Sequence, residues 1–158
     1  MFTSVQGITT VAGRVLLALI FLMSALGNKI PQFSKVAQMM EGQGVPMPQV
    51  MLTGAIVFLT AGSLSIIVGY KARVGAALLL IFLVLATYFF HDFWTWSIDA
   101  MWVLNSNPDV TVPVQQIEMI SFMKNLALAA AMLFIIANGS GPMSLDAREK
   151  VDIQPSLR

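Results

Sequence analysis

The chain has 158 residues, 57% of them hydrophobic and 11% charged, with a mean hydropathy of +0.78. A soluble domain carries about 25% charged residues, so this composition excludes a water-facing globule and describes an integral membrane protein of one domain. A net charge of +1 leaves no nucleic-acid footprint. The lack of cysteine excludes disulfides, thiol redox chemistry, zinc–thiolate sites and iron–sulfur clusters carried by this chain.

Four segments reach the roughly 20 apolar residues that a membrane-spanning helix needs. The first covers residues 7–26. Residues 1–6 hold no Lys or Arg and Arg14 interrupts the apolar run, so the segment is read as a retained helix rather than a secretory signal. Thr3, Gly7, Thr10, Arg14, Ala18 and Ala25 recur at three- and four-residue steps. Such a stripe of small and polar residues suits a face turned to neighbouring helices, not to lipid. Arg14 lies about two turns in, roughly 10 Å from the end of the span. It is a candidate anion or quinone-carbonyl donor, or else a side chain that snorkels to the surface.

The loop from Gly27 to Gln49 holds a short amphipathic segment. Phe33, Val36, Ala37 and Met40 share one face, and Gly42, Gly44, Pro46 and Pro48 end it. This predicts a short helix lying at the membrane interface. The second span covers residues 50–68, with Ala55, Gly62 and Gly69 spaced every seven residues as a close-packing face. The turn Gly69-Tyr70-Lys71-Ala72-Arg73 is short, so the third span, residues 74–90, folds back as an antiparallel partner.

The third span runs into Phe89-Phe90-His91-Asp92-Phe93-Trp94, and the loop that follows contains all three tryptophans, Trp94, Trp96 and Trp102. These read as an interfacial aromatic belt. No strand pattern stands out anywhere in the chain. The fourth span, residues 115–137, is polar at its start and apolar thereafter. At about 100° per residue Gln115, Glu118, Ser121 and Asn125 fall on one helix face, with Lys124 beside them. Polar and charged groups at such depth are costly unless they face protein or water. Lys124 and Arg14 need acids, for which Glu118 and Asp92 are the nearest candidates. His91, the one histidine, either shuttles protons near its ordinary pKa of about 6.5 or caps a helix end.

One histidine cannot supply bis-histidine haem ligation, and no ligand spacing matches a metal site, so neither haem nor metal is expected. The eleven methionines read as core and lipid-facing filler. Lys71, Arg73, Arg148, Lys150 and Arg158 fall on one side of a four-span topology, against Lys29 and Lys35 on the other. The positive-inside rule then puts both termini in the cytoplasm. Residues 1–146 form the membrane domain, and 147–158 a cytoplasmic tail.

Several stretches together resemble one family. Arg14-Val-Leu-Leu-Ala-Leu-Ile-Phe-Leu-Met-Ser-Ala-Leu-Gly27 is similar to the first helix of the DoxX family. Gly44-Val-Pro46, His91-Asp-Phe-Trp94 and Phe122-Met-Lys-Asn-Leu-Ala-Leu-Ala129 also look like that family, and Gly141-Pro-Met-Ser-Leu-Asp146 resembles its closing signature. The match runs from about Val5 to Asp146. The resemblance implies an all-α, four-helix bundle in the bacterial cytoplasmic (inner) membrane. It also implies a membrane component of an oxidoreductase system, some members being quinone-linked, while distant relatives act as cargo receptors or assembly chaperones.

Two functions therefore stand at this point. One is a redox-system subunit that binds a quinone or similar small molecule in an intramembrane pocket and takes electrons from a redox partner protein. Its ligand-binding residues would be Arg14, His91, Asp92, Trp94, Glu118, Lys124 and Asn125, with Arg14, Glu118, Lys124 and Asn125 as polar contacts and Phe89, Phe90 and Trp94 as apolar walls. The other is a non-enzymatic receptor or chaperone that holds a partner on its outer loops. Either function is compatible with a homo-oligomer in the lipid bilayer.

Overall fold

The computed structural model describes residues 4–104 and 107–148. Thr3 of the first stripe, and Lys150 and Arg158 with most of the expected tail, lie outside the described residues. Among those described, four helices are long and apolar enough to cross a membrane, over Ser4–Lys29, Pro48–Val68, Ala72–Thr95 and Val114–Asn138. The chain is an all-α, multi-pass membrane bundle.

Helix α1 (Ser4–Met23) continues into a π-helical turn, Ser24–Lys29. Helix α2 (Phe33–Gly42) follows, then α3 (Pro48–Val68), α4 (Ala72–Phe90) and α5 (Val114–Asn138). The chain's own punctuation sets these limits. Pro48 occupies the first turn of α3, where its missing N–H costs nothing. Gly69 closes α3 at φ 70°, a left-handed conformation that glycine adopts without strain.

The hairpin α3–α4 is the centre of the bundle. Gly62 of α3 faces Gly75 of α4, where an added Cβ would lie 2.8 Å from the Gly75 carbonyl oxygen. The two backbones approach that closely only because neither carries a side chain there. Helix α1 packs on α3 and helix α5 on α4. Gly7, Arg14, Ala18 and Ala25 of the expected stripe are buried, together with Phe21. Of these, Ala18, Phe21 and Ala25 join Leu59, Ile66, Ala76, Leu79, Leu83 and Met132 around one core. A second, smaller core forms where Ala37 and Met40 of α2 meet Val45 and Leu52. The amphipathic face of the loop segment is thus the face it buries.

The expectation of no strands is corrected. Between α4 and α5 a short 3-10 turn (Phe93–Thr95) leads into an antiparallel hairpin, β1 (Met101–Leu104) and β2 (Asn107–Pro113). Trp102 pairs with Val112 and Val103 with Thr111, with an irregularity between Val103 and Leu104. Aromatic and β-branched residues supply the strand tendency. The segment was masked in the sequence because it is short and lacks a clean alternation. Trp96 and Trp102 meet edge to face at 6.5 Å between ring centroids.

The ends of the bundle differ. At one end lie the start of α1, the α3–α4 turn and the segment after α5. Here Asp146 closes the structure. Its Oδ1 and Oδ2 accept from the backbone N–H groups of Lys71 (2.7 Å) and Ala72 (3.2 Å), and its own N–H donates to the Gly69 carbonyl at 2.9 Å. Lys71 contributes no side-chain cap to α4. A carboxylate from 74 residues further along the chain does so instead, at the positive end of the helix dipole. The Ser140 hydroxyl donates to Asp146 Oδ2 at 2.9 Å, and Ser144 Oγ donates to the Gly141 carbonyl at 2.7 Å. At the other end lie α2, the end of α4, the β-hairpin and the start of α5.

Candidate functional site

At the hairpin end the helices enclose a cavity of about 820 Å³. Its apolar walls include Phe21 of α1, Leu52 and Phe58 of α3, Phe82 and Leu83 of α4, and Leu128 of α5. Its polar lining groups are Ser24, Asn28 and Lys29 of the π turn, Gln32, Lys35 of α2, His91, Lys124 and Asn125. Exposed apolar residues, among them Ile20, Val50, Ile81 and Leu85, also border it. In a bilayer these residues meet acyl chains, so the cavity communicates with lipid.

The polar face predicted for the fourth span turns inward. Glu118 and Asn125 are buried, and Gln115 and Ser121 are partly so. Each buried group has a partner on α4 or at its end. Glu118 Oε2 lies 2.7 Å from His91 Nδ1. Asn125 Nδ2 donates to Thr87 Oγ1 at 3.1 Å. A hydrogen-bonded His–carboxylate pair beside a cavity can accept and release a proton.

Lys29 enters the cavity wall from the π turn that follows α1. Its Nζ donates to Ser24 Oγ at 2.7 Å and lies 5.2 Å from the ring centroid of Phe82. The latter is a cation–π distance. His91–Glu118 is a side-chain ion pair at 2.7 Å, and among the described residues no acid forms one with Lys29, Lys35 or Lys124.

The sequence candidates fall into three groups. His91, Lys124 and Asn125 line the cavity, as do Phe89 and Phe90, and Glu118 stands behind His91. Asp92 and Trp94 do not line it. Asp92 Oδ2 accepts from Thr95 Oγ1 at 2.9 Å and so steadies the 3-10 turn. Trp94 is exposed and packs against Phe93 and Phe122 at 5.2 and 6.0 Å. Arg14 lies at the opposite end. It is 5% exposed, its Nη2 donates to the Met143 carbonyl at 3.0 Å, and its guanidinium packs over Gly69. It reaches neither the cavity nor the surface. The acids expected to meet Lys124 do not: Glu118 turns to His91, and Asp92 to Thr95.

Lys29, Lys35 and Ser24 carry no site role in the sequence reading, where the two lysines count only toward topology. The signal available was Lys29 directly after the first span, in Gly27-Asn-Lys-Ile-Pro31, at a depth where an amine needs a reason.

The family model described as DoxX matches residues 9–92. Over 147 residues the chain is 26% identical to the inner membrane protein YphA of Escherichia coli (strain K12), covering 93% of this chain and 94% of that protein. No solved structure matches.

Proposed function

The chain belongs to the DoxX family, and we propose that it is the membrane subunit of an oxidoreductase system that holds a quinone or similar small molecule in the cavity. One observation carries this reading: an apolar-walled cavity of about 820 Å³ is also lined by His91, Lys124 and Asn125, with Glu118 bonded to His91. Small-molecule sites have this form, apolar walls with a few convergent polar groups, and volumes of about 300–1,000 Å³. A quinone taken up from lipid would put its ring beside His91, Lys124 and Asn125 and its tail along Phe58 and Leu128. Its two-electron reduction consumes two protons, for which the His91–Glu118 pair is a relay. Electrons would come from a partner protein, since this chain carries no cysteine for a cluster and a single histidine. The likeness to YphA supports the bacterial inner membrane as the location, with the hairpin end outward by the distribution of basic residues.

A second reading, a receptor or assembly chaperone, is favoured by one feature. Ile98, Met101, Trp102 and Val103 expose an apolar surface on and beside the β-hairpin.

Mass spectrometry of small molecules that co-purify in mild detergent separates the two. The first reading expects a quinone enriched over bulk membrane lipid, and reduced enrichment in Lys124→Ala. A wild-type sample with no quinone above the bulk ratio overturns it.

A further inference from the structure

We propose that the cavity selects an occupant whose head is an acidic oxygen, and that Lys29 holds that head. The inference rests on the cavity being a small-molecule site and adds the chemical class of what enters.

Three ammonium groups, Lys29, Lys35 and Lys124, line the cavity together with His91, and no Asp or Glu is among its lining residues. Glu118, beside the lining His91, is committed to it at 2.7 Å. A concave surface of one sign with low-dielectric walls concentrates the field of its charges and favours a ligand of the opposite sign. Unpaired amines beside a bilayer core are costly, and an anionic head removes that cost where no protein carboxylate does.

Lys29 is the group prepared for contact. The chain leaves α1 through a π-helical turn, Ser24–Lys29, and such turns often mark functional positions. The turn aims Lys29 across to Phe82, 5.2 Å from the ring centroid, with the Ser24 hydroxyl as one hydrogen-bond partner at 2.7 Å. An ammonium has three donors, so donors remain for an oxygen of the occupant. Lys35 and Lys124 are exposed in the free chain and serve as a cationic mouth. The apolar walls of the cavity receive the remainder of the molecule. Two sources share this chemistry: a quinone whose ring bears an ionised hydroxyl, and a fatty acid.

The test uses the full chain in lipid nanodiscs, with isothermal titration of three probes: naphthoquinone, a hydroxynaphthoquinone that is ionised at neutral pH, and palmitate. The wild type is expected to bind the ionised quinone roughly tenfold to hundredfold more tightly than the neutral one, the range set by a hydrogen bond to a charged group. Lys29→Met should close that gap by weakening the ionised quinone far more than naphthoquinone, while Lys29→Arg should keep part of it. Equal wild-type affinity for the two quinones overturns the acidic head and leaves the quinone reading intact. That comparison needs no variant. Palmitate binding that depends on Lys29, with neither quinone bound, upholds the acidic head and overturns the quinone. An undiminished gap in a folded Lys29→Met variant overturns the role given to Lys29. No binding of any probe overturns the proposal and the quinone reading together.

Discussion

His91 Nδ1 lies 2.7 Å from Glu118 Oε2, joining the end of α4 to the first turns of α5 across the edge of the cavity. The Glu118 side chain is 8% exposed and that of His91 24%, so the pair holds two helices together and borders a ligand space at once.

Replacing Glu118 by Ala leaves the partly buried His91 ring without its partner. A buried group left unpaired costs about 1–3 kcal/mol. The exposed Asp99 has only a loop contact of its own, and Asp99→Ala should change stability by less than about 0.5 kcal/mol. Thermal unfolding in detergent compares the two. Equal midpoints would show that the His91–Glu118 contact does not stabilise the bundle.

The meeting of Gly62 with Gly75 predicts an overpacking penalty. A Cβ at Gly62 would sit 2.8 Å from both the Gly75 carbonyl oxygen and Leu79 Cγ. Gly62→Val should therefore destabilise by about 1–3 kcal/mol. Gly13, where an added Cβ meets nothing within 4 Å, should accept Ala without loss. Detergent-resistance midpoints of the two variants read the difference directly, and a tolerated Gly62→Val would show that α3 and α4 are not in close contact there.

Asp146 caps α4 from the far end of the chain, accepting from the Lys71 and Ala72 amides. Loss of a capping carboxylate costs about 0.5–2 kcal/mol. Asp146→Ala should lower the unfolding midpoint by that amount and speed proteolysis after Gly139, because the same carboxylate fastens this segment through Ser140. Asp146→Asn, which keeps an oxygen acceptor, should lose less. Identical proteolysis rates in wild type and Asp146→Ala would count against the capping role.

Topology is open to direct labelling, since the chain has no native cysteine. A cysteine at Lys71 is expected to react from the cytoplasmic side alone, and one at Ser97 from the outer side alone. Both positions are exposed, so accessibility within the fold does not limit the reaction. The reverse pattern would invert the orientation drawn from the basic residues.

The sequence alone determined the four spans, the amphipathic face of α2 and the inward polar face of α5. All three are local: apolar run length sets a span, and the 3.6-residue period sets which side chains share a face. Periodicity also says that Glu118 and Asn125 must turn inward, but not toward what. Only the tertiary structure decided that Glu118 meets His91 and not Lys124, because the choice depends on which helix ends lie side by side. The same holds for Arg14, whose depth in α1 is legible, whereas its partner is a carbonyl 129 residues away on the segment after α5. Lys29 shows the limit most clearly. Its position after the first span is plain in the sequence, yet its aim depends on a π turn that shifts the helical phase by one residue and on Phe82 standing opposite. A cavity is space left between helices, so it has no residue pattern of its own. It exists where α1, α2, α3, α4 and α5 fail to fill the volume they surround.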